Sequence, residues 1–107
     1  LEFLNKPIKL FKEFREQSKE NHVFSILFIN KESSWGDLYR DIGAKGDPVF
    51  QHARFYSLED VSVMLEEVGY SISDAKGTLN SDPMKQEVDV DLVEPSKQSG
   101  VIIVKAE

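Results

Sequence analysis

The run VFSILFI, from Val23 to Ile29, sets the tightest limit on what this chain can become. It is apolar throughout except at Ser25, it is rich in β-branched and aromatic residues, and polar turns bound it on both sides. A run of this kind suits a strand covered on both faces, as in an α/β sheet. It falls far short of the roughly 18 continuous apolar residues that a membrane span needs, and no other window in the chain comes closer.

Two helices flank that strand in the sequence. Asn5 before Lys6-Pro7 reads as a helix start, with Pro in the first turn where its missing N–H costs nothing. Leu4 is placed to staple onto Ile8, and Ile8, Phe11 and Phe14 recur as an apolar core stripe, so the spacing predicts a helix from about Lys6 to Ser18. The second begins at Ser57, where Ser57-Leu58-Glu59-Asp60 is a variant capping box. Leu58, Val61, Met64, Leu65 and Val68 form its core stripe, and Gly69 stands where a left-handed residue closes the last turn, with Tyr70 folding back. Between the two, Trp35, Leu38, Tyr39 and Ile42 predict one short helix ended by Gly43, followed by loop chemistry in AKGDP.

The helix ending at Gly69 feeds a strand that runs to about Thr78-Leu79, and VIIV, Val101 to Val104, reads as a last buried strand. The connection from Asn80 to Ser99 is polar and acidic, with Asp82, Glu87, Asp89, Asp91 and Glu94, and VDVDLV (Val88 to Val93) alternates as a short extended piece would. The order is that of an incomplete three-layer α/β arrangement, in which one buried-type strand lacks a second neighbour. Residues 1–107 are read as a single α/β domain. Leu1, Phe3 and Leu4 are apolar and the first residue is not Met, so the chain is expected to begin inside a longer one.

A net charge of −6 argues against a general nucleic-acid binder, which needs a concentrated basic face. No basic stretch followed by an apolar one marks a signal peptide. With no cysteine there are no disulfides or thiolate metal sites, and a cytoplasmic location is the expectation. His22 and His52 are too few for a metal site without thiolates, and the acids from Asp82 to Glu94 lack calcium-loop spacing.

Four segments taken in order resemble the carboxy-terminal half of a class I S-adenosylmethionine (SAM)-dependent methyltransferase, a seven-stranded Rossmann-like fold. LEFLNKPIKLFKEF is similar to the stretch after the fourth strand of that fold, and VFSILFINKESSWGDLY to its fifth strand and the segment after it. HARFYSLEDVSVMLEEVGYSISDAKGTL is similar to its last helix and sixth strand, and SGVIIVKAE to its seventh. The resemblance implies a partial Rossmann-like sheet of about three strands, with two main helices and one short helix. The last strand would be antiparallel and slot between the other two. It implies methyl transfer from SAM to an unknown acceptor in an intact parent, with this chain on the acceptor side. The family's SAM-gripping parts, a glycine-rich loop after a first strand and an acidic residue after a second, are absent from the sequence, so no cofactor is expected on this chain alone. QSKENH also stands where family members often carry a glycine-containing turn.

The acceptor pocket of the resembling enzymes is partly built after the fifth strand. That region holds Trp35, Tyr39, Arg40, His52, Arg54, Phe55 and Tyr56. Trp35, Tyr39, His52, Arg54 and Tyr56 are the substrate-binding candidates, and His52 is the one catalytic candidate, as a base of near-neutral pKa. Each has a structural alternative: His52 as a loop residue, Arg54 as a partner of Glu59, Phe55 and Tyr56 as a staple before the helix, Trp35 as a cap on the core. A small-molecule acceptor is expected as partner of the parent, with no nucleic acid and no membrane. The strand at 23–29 is expected to leave an edge open to a second copy or to the missing half. The alternative to an enzyme fragment is a non-catalytic α/β interaction or dimerisation module.

Overall fold

The computed structural model describes residues 1–17, 22–83 and 90–107. Three helices and three strands follow in the order α1 (Pro7–Gln17), β1 (Phe24–Ile29), α2 (Ser34–Ala44), α3 (Leu58–Glu67), β2 (Ile72–Thr78) and β3 (Val101–Ala106). The sheet order is β1-β3-β2, and β3 runs antiparallel to both neighbours, so the last strand slots between the first two as expected. Strands β1 and β2 are therefore parallel to one another.

Pairing of Ile26 with Val104, Phe28 with Ile102, and Ala75 with Val104 places these residues on one face. That face meets Phe11 of α1 and Val61 and Leu65 of α3 in a single buried cluster closed by Tyr70. Helices α1 and α3 touch each other over it. The opposite face carries Ser25, Leu27 and Ile29 beside Lys105, Ile103 and Val101. Leu27 is 59% exposed there. The expectation of cover on both faces of β1 therefore fails in this chain. Both helices that pack on the sheet lie on the same side, so there are two layers, and the apolar run is wetted on alternate residues.

Helix α3 forms as its sequence dictates. The Ser57 hydroxyl accepts from the Asp60 N–H and the Asp60 carboxylate accepts from the Ser57 N–H. At the other end Gly69 adopts φ +89°, its N–H donates to the Glu66 carbonyl, and the Tyr70 N–H donates to the Leu65 carbonyl. This paired closure needs a left-handed residue at Gly69.

Two helices depart from expectation. In α1 only Phe11 of its stripe is buried, with Ile8 39% and Phe14 43% exposed. Residues three apart in a helix diverge by about 60° around the axis, and α1 sits over the outermost strand, so its flanks overhang the sheet. Ser18, the expected end of α1, lies outside the described residues. Helix α2 spans 11 residues, as long as α1, and passes through Gly43 rather than stopping there. The reason is packing: a Cβ on Gly43 would sit 2.5 Å from the Phe50 carbonyl oxygen, so the glycine admits the following loop. The left-handed turn falls later, at Gly46 (φ +94°). Of the expected extended piece at 88–93, Val93 forms an antiparallel bridge with Gly77 on the outer edge of β2, and residues 88 and 89 lie outside the described set.

Candidate functional site

Three connections meet at one end of the sheet. Asn30 directly follows β1, Asn80 and Ser81 follow β2, and residues 95–100 lead into β3, whose amino end lies there because it runs antiparallel. In open α/β sheets ligands bind outside the carboxyl ends of the parallel strands, which is this end. A cavity of about 410 Å³ opens between the three connections, lined by Glu32, Ser34, Asn80, Ser81, Asp82, Lys97 and Gln98. Every lining residue carries a hydroxyl, amide or charged group beside its apolar stem, so the cavity suits a polar ligand better than a flat apolar one.

Asn30 holds this cavity together. It is 2% exposed and ends the apolar strand with a polar side chain. Its Nδ2 donates to the carbonyls of Ser96 (3.2 Å) and Lys97 (3.5 Å), while its Oδ1 accepts from the Glu32 N–H (3.1 Å). One amide thereby fixes both the Glu32 and the Lys97 walls. Their charged ends stand 3.9 Å apart in an exposed, weak ion pair. Ser99, fully buried, donates from its hydroxyl to Asn80 Oδ1 (2.9 Å), which ties the connection after β2 to the one before β3. Helix α2 starts at the rim, with Ser33 as N-cap accepting from the Gly36 N–H.

The candidates named from sequence are dispersed around this end. Trp35 is half-buried against Gly100, and its indole N–H donates to the Ser81 carbonyl (2.8 Å), so it ties down one of the cavity's connections without lining the cavity. Tyr39 stacks on Phe50 at 4.6 Å and faces Trp35 at 6.5 Å. Arg40 reaches Asp37 and the Lys31 carbonyl. His52 is exposed on a turn and does not line the polar cavity. The Arg54 side chain is exposed and forms no ion pair with Glu59; its backbone N–H donates to the Glu2 carbonyl. Tyr56 packs on the core and bridges to Asn30 in parallel fashion, and with Phe55 it borders a shallow groove along the first turns of α3. The cavity residues were missed from sequence. Their signal was the recurrence of Ser, Asn and Asp immediately after one strand, after another and before the third.

Among the described residues no group of three or more His, Asp or Glu side chains is placed to hold a metal ion. No helix among them is long and apolar enough to cross a membrane. The Cβ positions of Gly36, Gly43, Gly77 and Gly100 are filled by Asn30, Phe50, Ser99 and Trp35, and Gly46 and Gly69 serve turns. At those four filled positions there is no open backbone cradle of the kind that receives a nucleotide phosphate.

At the opposite end, the His22 Nε2 and the Tyr70 hydroxyl share a hydrogen bond of 2.8 Å, with the Arg15 guanidinium 5.0 Å from the Tyr70 ring centre. Burial pushes the Tyr70 phenol up from its ordinary value, and the nearby Arg15 charge opposes that shift.

No protein-family model matches the chain. Uncharacterized proteins of Mycobacterium bovis and Mycobacterium tuberculosis are each 26% identical to it over 98 residues, which is 92% of this chain and 34% of theirs. A SAM-dependent methyltransferase from Thermotoga maritima, described as a possible histamine N-methyltransferase, superposes on 97% of the chain with a TM-score of 0.80 at 20% identity, using 49% of its own length. The chain has the fold of part of a SAM-dependent methyltransferase. It spans about a third of the length of the mycobacterial relatives and about half of the Thermotoga protein.

Proposed function

We propose that this chain is the carboxy-terminal part of a longer SAM-dependent methyltransferase and forms the acceptor side of its active site. The observation that carries the reading is the backbone shared with a methyltransferase over 97% of the chain, using only 49% of that enzyme. The residues that grip SAM belong to the rest of the longer protein. Asn30 sets the walls of the polar cavity, and Glu32, Ser34, Asn80, Asp82, Lys97 and Gln98 receive the acceptor. Positioning of this kind is most of what an in-line methyl transfer asks of its protein. Small amines are the first acceptor class to test, because two carboxylates line the cavity and the Thermotoga protein's description names an amine. Calorimetry decides the reading: the longer protein binds SAM with micromolar affinity and residues 1–107 alone do not. A longer protein that ignores SAM, or an isolated chain that binds it, sinks the proposal.

The exposed Leu27 and Val23 beside the β1 edge favour a second reading, a non-catalytic interaction module. The gene separates the two. A glycine-rich strand–loop–helix encoded upstream of Leu1 supports the enzyme, and a start codon immediately before Leu1 supports the module.

A further inference from the structure

Helix α3 has two opposed faces. Val61 and Leu65 point into the core and are fully buried. Val63 stands two residues from each, so it points away from the sheet, and it is 49% exposed. Its neighbours on the helix surface, three and four residues before and after, are Glu59, Asp60, Glu66 and Glu67. All four are acidic, and α3 contains no basic residue. No ion pair joins any of them to a cation among the described residues. Lys76 pairs with Glu94, and Arg15 lies over the Tyr70 ring. The first two acids have a role within the fold: the Asp60 carboxylate caps Ser57, and both sit at the positive end of the helix dipole. Glu66 and Glu67 stand at the negative end, where acids destabilise the helix.

Grooves run on both sides of the row Glu59–Val63. Toward β2 a groove of about 510 Å³ is lined by Leu58, Ile72 and Ala75. Toward Phe55 and Met64 the other groove measures about 470 Å³. A row of residues four apart with a groove on each side is the surface on which a second helix packs, its own rows entering the grooves. No such helix comes from the described residues, because α1 packs on the β1 side of α3 and β2 is the last strand on the other side. The first residues of the chain lie at the far edge of the sheet. There the Glu2 carboxylate accepts from the Ile29 N–H and the Tyr56 carbonyl accepts from the Lys31 N–H.

We propose that the outer face of α3 docks a basic amphipathic helix of another protein. The apolar stripe of that helix straddles Val63 and fills the two grooves, and its lysines or arginines pair with the surrounding carboxylates. Charge selects this occupant. A second copy brings the same acidic ring against itself, and nucleic acid or an anionic lipid surface is repelled. Glu66 and Glu67 are then retained for binding at some cost to the stability of the free chain. The inference is independent of the methyltransferase reading.

The probe is a fluorescein-labelled peptide of about 14 residues, with leucines along one helical stripe and lysines elsewhere. It is titrated with the full-length protein and followed by anisotropy, and micromolar binding is expected. Val63→Ser, at an exposed residue, weakens binding about tenfold or more, and so does Glu66→Gln combined with Glu67→Gln. Glu13→Gln combined with Glu16→Gln, an equal change of charge on the exposed side of α1, leaves it unchanged. The Glu66 and Glu67 pair also raises the unfolding midpoint, which separates lost binding from a damaged fold. The inference is overturned if the peptide does not bind, or if a peptide with serines in place of the leucines binds equally well. Equal losses from the two glutamate pairs overturn it as well. So does a mass that halves on Val63→Ser, since the occupant is then a second copy. None of these outcomes bears on SAM binding, which calorimetry reads on the same sample.

Discussion

Asn30 directly follows β1, a strand covered on one face only, with a side chain whose hydrogen bonds all serve the connections around the cavity. Replacing it by Ala leaves the Ser96 and Lys97 carbonyls and the Glu32 N–H without that partner. Ser96 and Lys97 are exposed, so their carbonyls recover water, and the expected loss is about 1–3 kcal/mol rather than the full cost of buried orphans. Urea unfolding measures it. Asn30→Asp is expected to cost more than Asn30→Ala, because it points a carboxylate at two carbonyl oxygens. Tyr70 gives a pH prediction of definite sign. Its folded pKa is raised, mainly by burial, so the folded state holds the phenol proton more tightly than the unfolded state does. The associated stability is complete below the ordinary value near 10 and is lost as pH rises through the folded value. Unfolding free energy is expected to fall above about pH 10 in the native protein and to fall less in Tyr70→Phe. Identical alkaline slopes for the two proteins would contradict the shift.

At the scale of elements, α3 was legible because its signals are local. The capping box, the stripe and the Gly69 closure all act within a few residues, and each forms as written. Ser57→Ala is expected to cost about 1 kcal/mol, and because the two capping bonds are reciprocal, adding Asp60→Ala costs less than the sum of the singles. The cover of β1 and the stripe of α1 were not legible for the opposite reason. Whether Leu27, Ile8 and Phe14 are buried depends on which layers lie next to them, which no local period encodes. A pair of truncations checks the α1 geometry: Phe11→Ala at 2% exposure costs about 3–5 kcal/mol, and Phe14→Ala at 43% costs well under half of that. Comparable losses would mean that the Phe14 side of α1 is seated as deeply as the Phe11 side. The cavity stayed hidden because its residues come from three connections whose meeting depends on strand order, and Asn30 was passed over as the first polar residue after an apolar run.

The molecule as a whole is a slab, with Cα extents of 45 × 31 × 17 Å. A second helix layer would add about 10 Å to the short dimension, so the thinness is that of one sheet and one helix layer. Apolar groups that a third layer and a further strand would bury stay on the surface at Val23 and Leu27, and such groups drive association. The net charge of −6 opposes it, by a repulsion that salt screens over about 8 Å at physiological ionic strength. The two forces differ in their salt dependence, which makes their balance measurable. Light scattering on residues 1–107 is expected to show a mass that rises with protein concentration, and to rise further when salt is added. Leu27→Lys lowers the apparent association constant in both conditions, because it puts a charge at the centre of the open face. A chain that stays strictly monomeric at high concentration and high salt would show that the β1 edge is protected by its own bonds to Glu2 and Tyr56, leaving too short an open stretch for any partner.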